Sequence, residues 1–359
     1  MQDPRFHILA INPGSGSTKI GIFDDALERW SETIRHGDAE LRAFMAQPIA
    51  AQLDFRYQKL RGLLLEKLGT YNDVAAVVGR GGLLRPLAGG TYEVNNRMRD
   101  DLFRAERGDH ASNLGALLAR AVAQEIGCPA FIVDPVSVDE WPPVARLSGL
   151  AGLDRECLWH ALNSRAIALR FADEQQRAYA DLRLIVAHLG SGISVSAHAG
   201  GKMIDVTNSR EEGAFSTERA GGLPVMKLIE WCLSGTADRA TMERRIFREG
   251  GIFSYLGTRD LREVMQRVES GDTQAATVLD AMIYQIAKEI GAMAAVQHGR
   301  VDGILLTGGM AHETRLCEMI EKRVGWIAAV HRYPGEDELA ALAGGALRVL
   351  RGEETPKAY

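Results

Sequence analysis

The segment Phe6–Phe23, with the sequence FHILAINPGSGSTKIGIF, consists of two apolar stretches separated by a short polar one. The apolar stretches predict a strand over Phe6–Asn12 and a second strand over Thr18–Phe23. The residues between them are too polar and too rich in glycine to continue either strand, so they predict a tight turn. The segment therefore predicts a hairpin.

The predicted turn has the composition of an anion-binding loop. Its two glycines would allow the backbone to turn tightly and to approach a ligand closely. A carboxamide, two hydroxyls and an amine surround it, carried by Asn12, Ser15, Ser17 and Lys19. Small donors with one cation nearby suit a phosphate. By itself, the segment also fits an ordinary hairpin at a solvated sheet edge.

A second copy of this pattern lies half a chain away. Leu184–Leu189 is another apolar stretch, followed by Gly190, Ser191 and Gly192 and then by Ile193–Ala197. The sequence NPGSGST (12–18) aligns with HLGSGIS (188–194) without a gap, and each copy continues into a short turn and a third strand. Such a repeat predicts two related domains that each contribute one hairpin to a shared cleft.

Composition excludes several classes of function. The 359 residues are 46% hydrophobic and 25% charged, as in soluble globular proteins, and are enough for two cores. A net charge of −5 gives no support for a nucleic-acid partner, and no apolar run is long enough to span a membrane. The four cysteines lie far apart, which indicates reduced thiols, and Met1 is close to the first strand. We therefore expect a cytoplasmic protein.

Arg80 follows a predicted buried strand in the first half. The β-branched run Val74–Val78 predicts that strand, and Gly79, Gly81 and Gly82 flank the arginine. Open α/β sheets bind ligands at the carboxyl ends of their strands. Arg80 is therefore a candidate ligand-binding residue, although an ion pair with a loop carboxylate is also common.

Asp134 and His160 each allow two interpretations. Asp134 follows the predicted strand Ala130–Val133, where it could open a turn before Pro135 or serve a metal. His160 lies at the head of a helix predicted to run to about Ala172. A lone histidine beside apolar residues is more often structural than catalytic.

The remaining elements follow from apolar periodicity and glycine turns. Arg219 lies in a glycine-rich loop before a predicted helix, and the strand Gly303–Thr307 leads into Gly308 and Gly309, on which a nucleotide could rest. The other predicted elements are helices at Leu53–Leu68, Asp109–Gly127, Val225–Cys232, Ala275–Gly299 and Leu339–Leu350 and a final strand at Ile327–Val330. The sequence has no P-loop, no dinucleotide-binding fingerprint and no serine hydrolase elbow.

Together these motifs resemble the acetate kinase/butyrate kinase family, and most of all its butyrate kinase branch. The resemblance rests on INPGSGSTKI (11–20), VVGRGGLLRPLAGGTYEVN (77–95), DHASNLGALLA (109–119), HALN (160–163), AHLGSGISV (187–195), ERAGGLP (218–224) and LTGGMA (306–311). It implies an α/β fold with two duplicated actin-like ATPase (ribonuclease H-like) domains and an interdomain cleft. The implied domains are a substrate and phosphate domain at 1–140, with the last helix at about 339–359, and a nucleotide-binding domain at 141–338.

The resemblance also implies roles for individual residues. Phosphates and the metal shell would be held by Asn12, Ser15, Ser17 and Lys19, and Mg²⁺ would be oriented by Asp134. Arg80 and Arg219 would flank the carboxylate and the migrating phosphoryl group, to which His160 would donate a hydrogen bond. The second phosphate hairpin would include His188, Gly190, Ser191 and Gly192, and adenosine would contact Gly308 and Gly309. His110 and His188 match family histidines near the active site whose implied roles are weaker. A carboxylate near the C-terminus would act on the metal, and Glu336, Asp337 and Glu338 all remain open.

The implied activity is the reversible, ATP-dependent phosphorylation of a short-chain carboxylate with Mg²⁺, in a homodimer or larger homo-oligomer. Gly81 and Gly82 stand where acetate kinases usually have bulky branched residues, so we expect room for butyrate or a branched acid of four or five carbons. An acetate or propionate kinase is the alternative within the family. A non-metabolic ATPase on the same scaffold, or a sugar kinase with Asp134 as its base, are alternatives outside it.

Overall fold

The computed structural model describes residues 5–45, 47–208 and 210–359. Its strands are β1 (His7–Pro13), β2 (Ser17–Asp24), β3 (Leu27–Arg35), β4 (Val74–Arg80), β5 (Thr91–Glu93), β6 (Ala130–Val133), β7 (Leu184–Leu189), β8 (Ile193–Ala199), β9 (Lys202–Val206), β10 (Gly303–Gly308) and β11 (Val330–Pro334). Its α-helices are α1 (Asp38–Leu41), α2 (Leu53–Leu68), α3 (Asn96–Phe103), α4 (Asn113–Ile126), α5 (Pro143–Arg146), α6 (Ala161–Glu174), α7 (Val225–Leu233), α8 (Arg239–Phe247), α9 (Gly251–Leu256), α10 (Leu261–Glu269), α11 (Thr273–Val296), α12 (Thr314–Val324) and α13 (Glu338–Leu350).

The chain divides into two compact units. The first runs to Asp139 and includes Asp337–Tyr359, and the second is Glu140–Glu336. Among the described helices, none has the length and hydropathy needed to span a bilayer.

The first unit is built on a six-stranded sheet with the order β3-β2-β1-β4-β6-β5. Strand β1 pairs antiparallel with β2 and parallel with β4, and β4 pairs parallel with β6. Helices α2 and α4 contribute buried apolar residues such as Leu60 and Leu118 to the core. The carboxyl ends of β1, β4 and β6 therefore meet at one edge of the sheet, where Asn12, Arg80 and Asp134 lie.

The second unit repeats this arrangement. Its sheet has the order β11-β10-β7-β8-β9, in which β7 pairs antiparallel with β8 and parallel with β10, and β10 pairs parallel with β11. The order 9-8-7-10-11 thus matches the order 3-2-1-4-6 of the first unit, strand for strand. The prediction of a duplicated α/β fold is confirmed.

The two hairpin turns differ by one residue, contrary to the gapless alignment. Pro13 pairs with Thr18 across the first turn, whereas Leu189 pairs with Ile193 across the second. As a result, Lys19 lies opposite Asn12, but Ser194 lies opposite His188. The serine of β8 therefore takes the place of the lysine of β2.

Most predicted elements form, and one was misplaced. Helix α2 spans the predicted residues and ends at Gly69, whose φ of +66° suits glycine. The last strand was predicted at Ile327–Val330 but lies at Val330–Pro334, where it pairs parallel with β10. The apolar residues Ile327 and Ala328 precede this strand and pack against the core of the second unit, which explains the error.

Candidate active site

Two predicted site residues of the first unit, Asn12 and Arg80, meet at the carboxylate of a third, Glu338. Arg80 Nη1 lies 2.5 Å from Glu338 Oε1, and the amide of Asn12 donates a hydrogen bond to Glu338 Oε2. Asn12 comes from β1, Arg80 ends the neighbouring strand β4, and Glu338 begins α13. The side chains of Arg80 and Glu338 are 26% and 17% exposed, so solvent and ligands can reach them.

A backbone contact between β4 and α4 fixes the position of Arg80. A Cβ atom added to Gly79 would lie 2.1 Å from the carbonyl oxygen of Gly115, and one added to Gly115 would lie 2.1 Å from that of Arg80. Only glycine at both positions lets the helix approach the strand this closely. The glycines before Arg80 and in α4 therefore serve packing.

Gly81 and Gly82 also serve packing, which corrects the expectation that they leave room for a longer acyl chain. A Cβ atom added to Gly81 would lie 2.4 Å from Pro135 Cβ, and one added to Gly82 would lie 2.6 Å from Asn113 Cα. The space beside both glycines is filled by protein. Their lack of side chains does not leave room for a longer acyl tail.

The first hairpin turn exposes backbone amides. Ser15 and Gly16 are exposed, and within the described part of the chain their amide groups have no hydrogen-bond acceptor. Nothing lies within 4 Å of a Cβ atom added to Gly16, so the outer side of the turn is open. Lys19 is exposed on β2, and Ser17 is half-buried at the start of that strand. These groups match the predicted phosphate-binding turn in their accessibility.

The carbonyl groups of the same turn are held by Arg56, which sequence reasoning missed. The guanidinium group of Arg56 donates to the carbonyl oxygens of Gly14, Ser15 and Ser17, at 2.7, 2.8 and 3.0 Å. Arg56 is fully buried. Its spacing from Leu60 and Leu64, the other buried residues of α2, was the available signal, because it places the arginine on the apolar face.

Asp134 is buried at the end of β6, with a φ of +38°. Its Oδ1 accepts a hydrogen bond of 2.6 Å from the amide of Gly90, and its own amide donates to the carbonyl oxygen of Gly90. These bonds join the end of β6 to the loop before β5. They favour the interpretation that Asp134 shapes a turn, and its role toward a metal stays a prediction.

Two histidines stack in the second unit. The rings of His160 and His188 lie 3.8 Å apart between centroids and are nearly parallel, at 7°. His160 directly precedes α6, and its Nδ1 is 2.9 Å from the hydroxyl of Ser194. His188 is buried on β7, directly opposite Ser194. The repeated hairpin thus orients the predicted catalytic histidine.

A chain of hydrogen bonds sets the tautomer of His188. The amide nitrogen of Asn163 donates to Nδ1 of His188 at 3.0 Å and to the hydroxyl of Thr307 at 3.1 Å, and that hydroxyl donates to the carbonyl oxygen of Gly335. Nε2 of His188 therefore carries the proton and donates to Glu336 Oε1 at 3.0 Å. Asn163 and Thr307 were not predicted as site residues.

Arg219 packs directly on the second hairpin turn. A Cβ atom added to Gly192 would lie 2.4 Å from Nη1 of Arg219. The hydroxyl of Ser216 donates to the carbonyl oxygen of Ser191 at 2.5 Å and accepts from the amide of Arg219 at 3.0 Å. Burial lowers the pKa of Arg219 below its ordinary value. The guanidinium group of Arg219 therefore lies directly against Gly192.

The backbone requires glycine at position 308 but not at position 309. Gly308 has a φ of +89°, and an added Cβ atom would lie 2.5 Å from the carbonyl oxygen of Leu189. Gly309 is exposed, with open space where a side chain would be. This opening is compatible with the predicted adenosine contact, which stays a prediction.

The second unit contains a segment that is similar to a known protein family. Its model, described as the acetokinase family, matches residues 157–324, which include His160, His188 and Arg219. This segment is therefore similar to the acetokinase family. The match lies entirely within Glu140–Glu336.

Solved structures of small-acid kinases share the fold of the chain. An acetate kinase from Porphyromonas gingivalis is 18% identical, with a TM-score of 0.76 over 96% of this chain and 100% of that chain. A propionate kinase from Francisella tularensis subsp. tularensis SCHU S4 is 15% identical, with a TM-score of 0.73 over 95% and 98%. An acetate kinase from Entamoeba histolytica is 15% identical, with a TM-score of 0.72 over 94% and 98%. At these identities the likeness shows the fold alone.

The predicted residues thus form one cluster in each unit. Asn12, Arg80 and Glu338 meet in the first unit, and His160, His188 and Glu336 are linked in the second, around its hairpin. His110 is exposed at the start of the loop before α4, where its Nδ1 contacts the hydroxyl of Ser112.

The oxygen donors of the first unit fit Mg²⁺. Among the residues that the structure describes, no group of three or more His, Cys, Asp or Glu side chains could hold a metal ion by itself. Magnesium bound with a nucleotide needs only one or two carboxylates, because phosphates and water complete its octahedral shell. Asn12 and Glu338 together provide such a partial shell.

Proposed function

We propose that the chain is a short-chain carboxylate kinase, which transfers the γ-phosphoryl group of ATP to a carboxylate and forms ADP and an acyl phosphate. The observation that carries the proposal is the meeting of Asn12, Arg80 and Glu338 at the carboxyl ends of adjacent parallel strands. The acetokinase-family match over residues 157–324 and the fold shared with acetate and propionate kinases support the same activity.

The reaction needs positioned cations more than a general base. A carboxylate is already ionised at neutral pH and can attack the γ-phosphorus directly. Catalysis then depends on in-line placement and on stabilising charge on the transferring oxygens. Arg80 binds the substrate carboxylate, and Arg219 and His160 stabilise the phosphoryl group. These side chains are the donors that such a transition state requires.

Magnesium would be held by Asn12 and Glu338, with Asp134 as a further candidate. When bound, it would neutralise charge on the phosphate oxygens. Glu338 accepts from Arg80 and Asn12, whereas Glu336 accepts from His188. We therefore assign the metal-linked carboxylate to Glu338 and a histidine-orienting role to Glu336.

The finer prediction is that butyrate or a branched acid of four or five carbons is preferred over acetate or propionate. It rests on the sequence resemblance to the butyrate kinase branch, since Gly81 and Gly82 provide no space for the tail. The test is hydroxamate detection of acyl phosphate from acids of two to five carbons with ATP and Mg²⁺. Comparison of kcat/KM along the series gives the preference, and a maximum at acetate would contradict it.

A second class of function is a non-metabolic ATPase or a sugar kinase on the same fold. A sugar kinase needs an aspartate that accepts a proton from an alcohol, and Asp134 is the candidate. Its buried carboxylate accepts from the amide of Gly90, which favours a structural role. Release of inorganic phosphate without acyl phosphate, or phosphorylation of a sugar alone, would favour this class.

A further inference from the structure

Arg56 lies beneath the first hairpin turn and contacts it at several points. Besides the three carbonyl groups described above, its guanidinium donates to the hydroxyl of Thr18 at 3.2 Å and to Gln52 Oε1 at 2.8 and 3.0 Å. It is fully buried and is the largest such side chain among the described residues. One rigid side chain therefore fixes most of the backbone of the turn.

The charge of this arginine is not neutralised by a carboxylate. Within residues 5–45, 47–208 and 210–359, Arg56 forms no ion pair, and every acceptor of its hydrogen bonds is neutral. Burial lowers the pKa of Arg56 to about 10, so the group stays protonated at neutral pH. An unpaired buried cation is unfavourable for folding, and an apolar side chain would fill the same space more favourably. The charge therefore points to a role at the turn above it.

Peptide geometry links Arg56 to the exposed side of the turn. In a planar trans peptide the carbonyl group and the following amide point in opposite directions. The carbonyls of Gly14 and Ser15 point inward to Arg56, and the carbonyl of Gly16 accepts from the amide of His36. The amides of Ser15 and Gly16 are therefore turned outward, away from the guanidinium.

We propose that Arg56 is the positioning residue of the phosphate-binding turn. It aims the amides of Ser15 and Gly16 at a phosphate of the nucleotide, and its charge beneath the turn favours an anion there. Arg56 acts through the backbone and does not touch the ligand. This inference rests on the proposed function, which it extends from surface groups to a buried cation.

The test compares Arg56→Met, which removes the charge, with Arg56→Lys, which keeps it but cannot reach every carbonyl. We expect Arg56→Met to lower kcat/KM for ATP by ~10²-fold, as for other misplaced binding groups, and Arg56→Lys to lose less. The KM for the carboxylate should stay unchanged in both. Arg61→Met is the matched control, because Arg61 lies on the same helix with its side chain 43% exposed and pairs with Glu125.

A merely structural role would lower the melting temperature but leave the kinetic constants of the folded variants at wild-type values, and that result overturns the inference. If Arg56→Met does not fold, Gln52→Leu replaces it, because this change removes the acceptor that orients the guanidinium and should also lower kcat/KM for ATP. Wild-type kinetics in folded Gln52→Leu and Arg56→Lys would equally overturn it.

A binding measurement tests the role of Arg56 even if the proposed kinase activity is absent. If the wild-type protein forms no acyl phosphate from any acid, calorimetric titration with MgATP tests Arg56 alone. A Kd raised by roughly tenfold in Arg56→Met supports the inference, and an unchanged Kd overturns it.

Discussion

At the scale of single residues, Arg80 is the side chain on which the proposed chemistry depends most. Arg80→Ala removes the cation that we propose to bind the substrate carboxylate and leaves Glu338 without its ion-pair partner. We expect kcat to fall by at least ~10²–10³-fold, while the affinity for ATP is largely retained. Hydroxamate assays give kcat, and calorimetry gives the Kd for MgATP.

Arg85→Ala is the matched control for this prediction. Arg85 follows on the same loop, its side chain is 48% exposed, and it pairs with Asp101 and Glu106. It should keep wild-type turnover. Near-full turnover in Arg80→Ala would remove Arg80 from the mechanism.

The carboxylates Glu338 and Glu336 should respond differently to substitution. Glu338→Gln weakens an oxygen donor beside Asn12, so we expect a higher Mg²⁺ concentration for half-maximal rate. Glu336→Gln weakens the hydrogen bond that His188 Nε2 donates to this side chain and should lower kcat with little change in the Mg²⁺ requirement. Titration of activity with Mg²⁺ separates them. The reverse pattern would move the metal role to Glu336.

At the scale of elements, the contact between β4 and α4 should tolerate no added methyl group. Gly115→Ala places a Cβ atom 2.1 Å from the carbonyl oxygen of Arg80, so the helix must move away from the strand. We expect the free energy of unfolding to fall by about 1–3 kcal/mol and turnover to fall with it. Urea unfolding measures the first quantity.

Gly62→Ala provides the control for this helix contact. Gly62 lies within α2, and nothing lies within 4 Å of an added Cβ atom. Alanine should therefore raise the free energy of unfolding by about 0.5–1 kcal/mol. Equal effects of both substitutions would show that the β4–α4 contact is not tight in solution.

A buried histidine of β8 should make the second unit sensitive to acid. His198 is fully buried between the hydroxyls of Tyr179 and Ser196, and burial, with Arg165 adding to it, lowers its pKa to about 3. The unfolded chain binds this proton below about pH 6.5, whereas the folded chain excludes it. The contribution of neutral His198 to the free energy of unfolding is therefore fully present above pH 6.5 and is lost as the pH falls toward 3.

The expected loss is about 1.4 kcal/mol of unfolding free energy per pH unit within that window. His36, whose pKa burial lowers to about 4, adds to the same trend. Urea unfolding at several pH values from 7 to 5 measures it. His198→Gln, which cannot bind the proton, should flatten the slope, and an unchanged slope would assign the acid sensitivity to other groups.

The local sequence was enough to predict elements that have their own periodicity and stop signal or that consist of a continuous apolar run. Helix α2 has its own periodicity and a glycine stop, and β6 and β7 are buried apolar runs that form at the predicted residues. Strand β11 could not be found this way, because its polar residues His331 and Arg332 become a strand only through pairing with β10. Arg80 was predicted from its neighbouring glycines, although these glycines serve packing.

The site residues that were missed contact other groups of the protein. Arg56, Asn163 and Ser194 each orient a predicted residue or turn, and each belongs to a different element from the group it orients. Nothing in the sequence links such partners, since they are brought together by the fold. Arg56 alone carried a local signal, as a charged residue on the apolar face of α2.

At the scale of the whole molecule, helix α7 carries the surface on which the predicted homo-oligomer can be tested. It contains no buried residue, and four of its apolar side chains are 43–82% exposed: Val225, Met226, Ile229 and Leu233. These positions share one face of the helix, while Lys227 and Glu230 pair with each other elsewhere on it. An apolar face of this kind is typical of an interface. The homo-oligomer stays a prediction, and this face of α7 is its candidate interface.

The double variant Met226→Glu/Ile229→Glu should therefore dissociate the oligomer, because two charges would be buried in an apolar contact. Sedimentation velocity at micromolar concentration should give a monomer for this variant and a dimer or larger species for the wild-type protein. Leu147→Glu/Leu150→Glu is the control, since these leucines of the second unit are 70% and 63% exposed but lie outside α7. A wild-type monomer, or an α7 variant that still associates, would remove α7 from any interface. Every residue of the two clusters belongs to a single chain, so the dissociated variant still contains both clusters. Its turnover therefore shows whether association matters for the proposed reaction.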